Sequence, residues 1–430
     1  MKKPNILFII SDDHRADTMG FKNLPGAQTP NLDWLAERGC SFDACYHMGA
    51  QHEAVCAPSR AALHTGNNPR RAMANCDFEI NKDMVTLGQN FRSNGYNTFA
   101  VGKWHNDPES LNRSFQDGAS LFLDGMDDHF LTPLQAYSLE GDYNISRTTR
   151  QNRHSSDIFA DSSVEFIQNQ ENSEIPWFLY VAFTAPHDPR TPPENYGRDR
   201  YINKVELPEN TLPCHPWRIG DDRIRDELLA GFPRSPTELT EHWADYLGMV
   251  EHMDACIGRI LTALRQLPGG IENTIIVYTS DHGLGLGSHG LMGKQNLYEH
   301  SVKVPCLLSG PGVPEKVRSS SFIHTPDLFP TLCALSDIEI PDSVREAQDL
   351  SPILENPNHD VRAFVRCFYK NYSNMIRKEH WKLIQSRNES EEIHEQLFNL
   401  QQDPSEMHDE SQNPNFQELT NELRQLITVQ

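Results

Sequence analysis

The stretch NILFIISDD, residues 5–13, decides the fold. Between its polar ends it is a continuous apolar run, which is typical of a β-strand that is covered on both faces. Strands of this kind occur in α/β proteins, where helices pack on both sides of a mostly parallel sheet. Because the strand runs directly into Asp12 and Asp13, we expect two carboxylates at its carboxyl end.

Three further predicted strands also end in polar sequence. Residues 98–101 lead into GKWH, residues 177–184 into APHDP, and residues 275–279 into SDHG. The carboxyl ends of parallel strands share one edge of an open α/β sheet, and ligands bind at that edge. We therefore expect the functional site where these four strands end.

Helices with start and stop signals separate the predicted strands, over residues 30–38, 86–94 and 237–267. Two long segments, residues 106–175 and 195–236, have weak periodicity and are expected to be irregular. The predicted fold is thus α/β, with a large, mostly parallel mixed sheet flanked by helices.

The last ninety residues have a different pattern. After the linker-like segment PDSVREAQDL come four short strand-like runs and a predicted helix over residues 415–427. They predict a small antiparallel sheet with a terminal helix. We expect a larger α/β domain over residues 1–340 and a C-terminal subdomain over residues 341–430. The strand-like runs are residues 363–366, 374–377, 381–385 and 396–400.

The chain is strongly acidic. Its 430 residues include 60 Asp and Glu against 38 Lys and Arg, so its formal net charge is -22. This charge argues against nucleic acid or an anionic membrane as a partner. No apolar stretch approaches the ~20 residues that a membrane-spanning helix needs. An anionic substrate must therefore be captured by a local cluster of basic groups.

The cysteines and the first residues indicate the compartment. Nine cysteines are scattered without a C-x-x-C pair, which favours a reducing environment over a disulfide framework. Acidic residues follow the first apolar run at once, without a signal-peptide pattern. We expect a cytoplasmic protein, or a periplasmic one if a leader has been removed. The oligomeric state is left open.

Asp12, Asp13 and Asp281 would crowd negative charge at one edge of the sheet. Such crowding is costly unless a cation neutralises it, and carboxylate oxygens suit a hard divalent ion. Calcium tolerates ligands from distant loops better than magnesium does. His282 is a possible additional ligand. The alternative is that these aspartates only cap turns at strand ends.

The segment AVCAPSRAALHTG, residues 54–66, contains a candidate nucleophile. Cys56 would stand at the start of a helix and near Arg60, and both features lower a thiol pKa and favour the reactive thiolate. The alternative is a buried, unreactive cysteine before an ordinary helix.

These motifs together resemble the type I sulfatases of the alkaline phosphatase superfamily. The resemblance runs in order over nearly the whole chain, and its most specific element is C-x-P-S-R with the trailing T-G. It implies an alkaline phosphatase-like fold, with residues 1–340 as the catalytic domain. The motifs that carry it are NILFIISDD, CAPSRAALHTG, GKWH, APH, SDHG, GKQNLYE and, near the C-terminus, ELFNLQQDPSE.

The resemblance implies that Cys56 is oxidised to formylglycine. A formylglycine-generating or anaerobic sulfatase-maturing enzyme would then be a partner of this chain. Hydration of the aldehyde gives two hydroxyls on one carbon, one of which attacks sulfur as an activated covalent nucleophile. Loss of a proton from the second hydroxyl re-forms the aldehyde and expels sulfate by C–O cleavage.

The resemblance also implies roles for further residues. Calcium would be held by an oxygen of modified Cys56 and by the ligands Asp12, Asp13, Asp281 and His282. Three basic residues, Arg60, Lys103 and Lys294, match those that surround the sulfate. His187 matches the general acid that protonates the leaving alcohol, and His105 matches the residue that assists aldehyde regeneration.

We predict an exo-acting enzyme whose substrate is a small sulfated saccharide. The net charge argues against a long groove that follows a polyanion, because such a groove needs extended basic surface. Trp217 offers a face for stacking on a sugar, and the arginines of the same loop, Arg218, Arg223 or Arg225, could bind its hydroxyls or carboxylate. The alternative is that Trp217 packs beneath its own loop and that these arginines pair with Asp221, Asp222 and Asp226. The candidate substrate-binding residues are His289, Arg190, His215, Trp217 and Arg218.

Other functions remain open at this point. A phosphonate monoester hydrolase or phosphodiesterase uses the same scaffold, and choline sulfate or another alkyl sulfate is a competing substrate. A two-zinc phosphatase is disfavoured, since it needs further His and Asp ligands. A non-catalytic binding protein is disfavoured because every matched catalytic position is present.

Overall fold

A computed structural model describes residues 3–74, 78–144, 148–217, 224–388 and 392–428. Its centre is an eight-stranded mixed sheet with the strand order β10-β2-β9-β8-β1-β7-β5-β6. Strand β9 runs antiparallel to its neighbours β8 and β2, and the other paired strands of this sheet are parallel. The strands of this sheet are β1 (Asn5–Ser11), β2 (Gly39–Phe42), β5 (Asn97–Lys103), β6 (Asp117–Phe122), β7 (Trp177–Ala182), β8 (Thr274–Ser280), β9 (Cys306–Ser309) and β10 (Val317–Ser319).

Strand β1 lies at the middle of the sheet and pairs in parallel with β7 and β8. Ile6, Phe8 and Ile10 enter the hydrophobic core on one face, while Leu7 and Ile9 enter the core on the other. All five side chains are fully buried. The apolar run therefore forms a strand covered on both faces, as predicted.

Helices cover both faces of this sheet. Helices α1, α6 and α7 contribute to one core, and α2, α4, α5, α9 and α10 to the other. The predicted α/β class is confirmed. The helices of the described residues are α1 (Pro30–Glu37), α2 (Cys56–Thr65), α3 (Pro69–Ala72), α4 (Leu87–Ser93), α5 (Pro108–Ser114), α6 (Ser155–Gln168), α7 (Pro236–Gln266), α8 (Glu299–Val302), α9 (Leu328–Leu335), α10 (Ser351–Glu355) and α11 (Gln417–Thr428).

The expectation of an irregular segment over residues 106–175 is wrong. This segment contains α5, β6 and α6. Strand β6 is the edge strand, and its first four residues are not fully buried, so it lacks an apolar run. Helix α6 buries Ser155, Ser156 and Ser163, which interrupts its apolar periodicity. Residues 195–236, by contrast, contain only short 3-10 turns and the start of α7 among those described.

The C-terminal part forms the small sheet that the sequence predicts. Strands β12 to β15 make an antiparallel meander, and α11 packs its apolar side on it through Leu423. One short strand from the first part of the chain, β4, joins this sheet in parallel with β12. The division at residue 340 stays a prediction. These strands are β4 (Gly49–Ala50), β12 (Phe364–Tyr369), β13 (Ser373–Lys378), β14 (Trp381–Arg387) and β15 (Ile393–Asn399).

The remaining strands, β3 (Cys45–Tyr46) and β11 (Ile323–His324), form a separate parallel pair. In the described ranges, every helix is too short or too polar to cross a bilayer. The eight described cysteines are free thiols. The fold is thus held by its cores and hydrogen bonds, with no disulfide among the residues that the structure describes.

The register of the strands aligns their carboxyl ends. Ser11 pairs with Ser280, and Gly102 pairs with Ala182. The residues that follow β1, β5, β7 and β8 therefore come out at one edge of the sheet, as the sequence predicts for the site.

Gly102 controls how Lys103 reaches that edge. It has φ +87°, and a Cβ at this position would lie 2.0 Å from the backbone oxygen of Ala182. We expect Gly102→Ala to lower the melting temperature strongly. Gly95 is the matched control, because it has the same φ and a Cβ there would meet no atom within 4 Å. Gly95→Ala should cost only the left-handed backbone strain, about 1–2 kcal/mol. Equal melting temperatures for the two variants, by differential scanning calorimetry, would contradict this account.

Candidate active site

Side chains from four strand ends and from the start of one helix converge at the carboxyl edge of the sheet. These side chains come from positions spread over almost 300 residues of the chain, and all of them are buried. The residues brought together are Asp12, Asp13, Cys56, Arg60, Lys103, His105, His187, Asp281, His282 and Lys294. All ten were proposed from the sequence, and the chemical roles given to them there stay predictions.

Cys56 is the first residue of α2 and is only 2% exposed. Its Sγ lies 3.2 Å from Nε2 of His282 and 3.4 Å from Nζ of Lys294. Burial by itself raises the pKa of the Cys56 thiol. The positive charges of Lys103, Lys294 and His282 outweigh this effect and hold the pKa well below its ordinary value. The position therefore stabilises negative charge on the side chain of residue 56.

Arg60 lies one turn further along α2 and is completely buried. Its Nε donates to Oδ2 of Asp281 at 2.9 Å, and its guanidinium also reaches Oδ2 of Asp12 at 3.4 Å. It donates as well to the backbone oxygen of Lys103 at 3.1 Å. Arg60 therefore lies behind the carboxylates, outside the wall of the cavity described below, and its predicted contact with sulfate stays a prediction.

The acidic side chains fit a divalent cation. Possible ligand atoms of Asp12, Cys56, Asp281 and His282 all lie within 4.8 Å of one another. Oδ1 of Asp12 is buried and accepts no hydrogen bond from the described residues. Burial and the neighbouring charge of Asp12 raise the pKa of Asp281 to about 6. A hard cation would satisfy the unpaired oxygen and relieve this repulsion.

Two lysines face these carboxylates. The ammonium group of Lys103 hydrogen-bonds to Asp12 and to the backbone oxygen of Gly125. Lys294 Nζ donates to Oδ1 of Asp13 at 3.0 Å and lies beside Cys56. The two ammonium groups thus concentrate positive charge around residue 56, as the predicted local capture of an anion requires.

His187 follows β7 and lies opposite Cys56 across Lys294. Its Nε2 lies 2.9 Å from Nζ of Lys294, and its Nδ1 donates to the backbone oxygen of Asp188 at 2.7 Å. Burial lowers the pKa of His187, but Asp13, Asp188 and Asp12 together raise it to about 9. The ring therefore takes up a proton readily, as a general acid must.

His105 has a different environment. Its backbone is left-handed, with φ +61°, and its buried Nδ1 has no hydrogen-bond partner among the described residues. Burial and the charge of Lys103 lower the pKa of His105 to about 4. A neutral ring beside Cys56 fits the predicted role of His105 as a proton acceptor.

A cavity of ≈ 200 Å³ ends on Cys56, His105, His187 and Lys294. Its wall also includes Met126, Arg225, Asp226 and Gln295.

Arg225 is anchored at this cavity by Asp188, with bonds of 2.5 and 2.9 Å, and by Asp226 at 2.7 Å. Arg225 is one of the arginines considered for substrate recognition from the sequence, and the structure shows the alternative pairing with Asp226 at the cavity wall. The segment around these residues has no periodicity, so its position beside Asp188 could not be predicted.

The four described candidates for substrate binding do not line this cavity. His289 stacks on Tyr298 at a centroid distance of 3.9 Å, and its backbone oxygen accepts from His215. Trp217 stacks on His394 of β15, so it packs against the C-terminal sheet. Arg190 lies near His242, 3.4 Å from its Nδ1. These assignments stay predictions, and Arg218, Asp221, Asp222 and Arg223 lie outside the described residues.

Known structures share this fold. A protein solved in complex with its substrate D-glucosamine-2-N,6-O-disulfate superposes with a TM-score of 0.83 at 24% identity, covering 99% of this chain and 97% of the other. The phosphonate monoester hydrolase of Silicibacter pomeroyi gives a TM-score of 0.76 at 19% identity, covering 99% and 94%.

Sequence comparison identifies the family to which this chain belongs. An N-acetylglucosamine-6-O-sulfatase of Bacteroides thetaiotaomicron is 26% identical over 99% of this chain and 86% of its own length. An arylsulfatase of Clostridium perfringens is 28% identical over 99% and 94%. The profile of the N-sulphoglucosamine sulphohydrolase C-terminal domain matches residues 287–430. Because the sulfatase profile matches residues 4–338, this chain belongs to the sulfatase family and is a sulfatase enzyme.

Proposed function

We propose that this sulfatase hydrolyses a sulfate ester at the end of a sulfated saccharide, with formylglycine at position 56 and calcium at the adjacent carboxylates. The observation that supports the proposal most is the convergence of Cys56, Lys294 and His187 in the wall of one small cavity. Such a site presents a nucleophile position, a cation and a proton donor to one ester group.

The nucleophile would come from the side chain of residue 56. Formylglycine, when present, supplies a hydrated aldehyde whose hydroxyl attacks sulfur, which a thiol or a single hydroxyl does not replace. The surroundings of Cys56 favour negative charge at this atom, because two lysines and His282 surround it. They would therefore stabilise the deprotonated form of the attacking hydroxyl.

The metal would be held by Asp12, Asp13, Asp281 and His282. Calcium, when bound, supplies positive charge that offsets the carboxylates and polarises the sulfate oxygens. The protein's part is to keep these ligands in place, which Arg60 does through its bonds to Asp12 and Asp281. This makes Arg60 a positioning residue in the proposed mechanism.

The other groups act on the sulfate and on the leaving oxygen. Lys103 and Lys294 would bind sulfate oxygens and stabilise the charge that develops in the transition state. His187, once protonated, would donate a proton to the leaving alcohol. His105, neutral because of its burial, would accept a proton from residue 56 when sulfate is released.

Two observations support a terminal sugar residue as the substrate. The relatives include an N-acetylglucosamine-6-O-sulfatase, and a structural neighbour binds a glucosamine disulfate. The cavity of ≈ 200 Å³ is smaller than the 300–1,000 Å³ or so that is usual for ligand pockets. A cavity of this size suits one sugar residue better than several, and Asp226 and Gln295 in its wall offer hydrogen bonds to sugar hydroxyls.

Replacing Cys56 tests the nucleophile. We expect Cys56→Ala and Cys56→Ser each to reduce turnover by at least about 10³-fold, because neither side chain provides two hydroxyls on one carbon. Cys333, another buried free cysteine, is the control, and Cys333→Ala should stay active. Mass spectrometry of the peptide with residue 56 should find formylglycine in active protein. Full activity in protein whose Cys56 is an unmodified thiol would refute this part of the proposal.

Elemental analysis tests the metal. We expect one calcium per chain in the purified protein. The Asp281→Asn variant should lose both the calcium and the activity, because the substitution removes a charged ligand. Asp254→Asn is the matched control: Asp254 is buried, and its pKa is also raised to about 6, but its carboxylate binds the backbone of Asn31 and Leu32. Two zinc ions per chain, with activity restored only by zinc, would indicate a two-zinc phosphatase instead.

A substrate panel tests the reaction and the saccharide assignment. We expect the fastest release of sulfate from a sulfated monosaccharide or from the end of a short oligosaccharide, with an aryl sulfate cleaved more slowly. The panel also includes choline sulfate, an aryl phosphonate monoester and an intact sulfated polymer. Faster cleavage of the phosphonate would contradict sulfate ester hydrolysis as the main activity. Preference for choline sulfate, or release from the polymer's interior, would contradict the terminal saccharide.

A further inference from the structure

A cavity of ≈ 650 Å³ lies where α3 and the segment around residue 345 meet strands β12 and β13. Five arginines line this cavity, which we call the arginine groove, and Glu346 is the one acidic residue among the described residues of its lining. No part of the proposed reaction uses it. The arginines are Arg70, Arg71, Arg345, Arg362 and Arg366.

The charge of this groove is opposite to that of the chain. Acidic residues outnumber basic ones by 60 to 38 in the whole sequence, whereas the groove has five arginines and one glutamate. Arg71 pairs with Glu346, and Arg362 pairs with the buried Asp327. Neither Arg70 nor Arg345 contacts a carboxylate within the part of the chain that the structure describes. The groove therefore keeps a net positive charge, and its concave shape focuses that charge.

Two of the arginines are held by aromatic rings. Arg70 lies over the ring of Phe368 at 4.1 Å, and Arg366 lies over the ring of Phe364 at 5.0 Å. Stacking restrains a guanidinium by its face and does not itself use the N–H groups that bind oxyanions. Burial also lowers the pKa of Arg366, so an incoming anion would relieve the cost of its partial burial.

A series of contacts connects the groove to the catalytic cavity. Arg70 donates to the backbone oxygen of Lys370 at 3.3 Å, and Lys370 Nζ pairs with Oε1 of Glu53 at 3.0 Å. Glu53 is itself part of the wall of the cavity that ends on Cys56. One bound chain could therefore have its terminal residue in the cavity and its next residues at the groove.

We propose that the arginine groove is a second binding site of this sulfatase, for the sulfate or carboxylate groups of sugar residues beyond the one whose ester is cleaved. This inference rests on the proposed function and extends it from a single sugar to a short anionic oligosaccharide. The side-chain amide of Asn374 in the same wall offers hydrogen bonds to sugar hydroxyls. Because the rest of the chain is acidic, we expect the groove to bind only a short anionic segment of a ligand. This argues against a long polyanion such as nucleic acid.

Binding of a sulfated heparin tetrasaccharide tests the groove directly. The titration is done calorimetrically with Cys56→Ala protein, so that no substrate is consumed. Adding Arg70→Ala, Arg345→Ala or Arg366→Ala should weaken tetrasaccharide binding about tenfold each, which is the effect of losing one charge-assisted contact. Binding of a sulfated monosaccharide should be unchanged. In protein with Cys56 intact, the same arginine changes should raise KM for the tetrasaccharide and leave kcat and the cleavage of an aryl sulfate unaltered.

Arg265→Ala is the matched control, because Arg265 stacks on Trp34 at the same 4.1 Å but lies on α7, outside the groove. Three results would each overturn the inference. They are equal weakening by Arg265→Ala and Arg70→Ala, unchanged tetrasaccharide affinity when Arg70, Arg345 and Arg366 are replaced together, or tighter binding of an oligothymidylate than of the tetrasaccharide. If no saccharide releases sulfate while arginine-dependent binding of the tetrasaccharide persists, the proposed function fails and the groove is supported as a site.

Discussion

The buried guanidinium of Arg60 is the interaction on which the catalytic edge depends. It joins Asp12 at the end of β1, Asp281 at the end of β8 and the backbone of Lys103 at the end of β5. All three side chains in these ion pairs are completely buried. Removing one partner of such a network leaves an uncompensated charge in the interior, which costs about 3–5 kcal/mol. The same arginine thus fixes three strand ends and keeps the carboxylates aligned.

This network also explains how an acidic protein handles an anionic substrate. Three carboxylates are placed where they would bind a cation, and two lysines contact two of these carboxylates close to residue 56. The negative charge of the rest of the surface repels anions in general. We therefore expect anions to bind where basic groups are concentrated, as they are in the cavity lined by Cys56 and in the arginine groove.

Local sequence was sufficient to predict an element wherever the residues of that segment alone specify its structure. The apolar run of β1 predicted a strand buried on both faces, and the four polar strand ends predicted the position of the site. Local sequence was insufficient to predict an element that forms only through contacts with its neighbours. Strand β6 at the sheet edge has no apolar run, α6 packs through buried serines, and β4 is a strand only because β12 pairs with it.

The sequence by itself determined the α/β class, the order of the elements and the chemical types at the strand ends, because these follow from patterns within a few residues. Its family motifs also indicated the ten residues that converge. Only the tertiary structure decided that Arg225 and Asp226 line the cavity, that Trp217 packs on the C-terminal sheet, and that five arginines meet in one groove. Those arginines come from segments almost 300 residues apart, and contacts over such separations are fixed by the packing of whole elements, which no local pattern records.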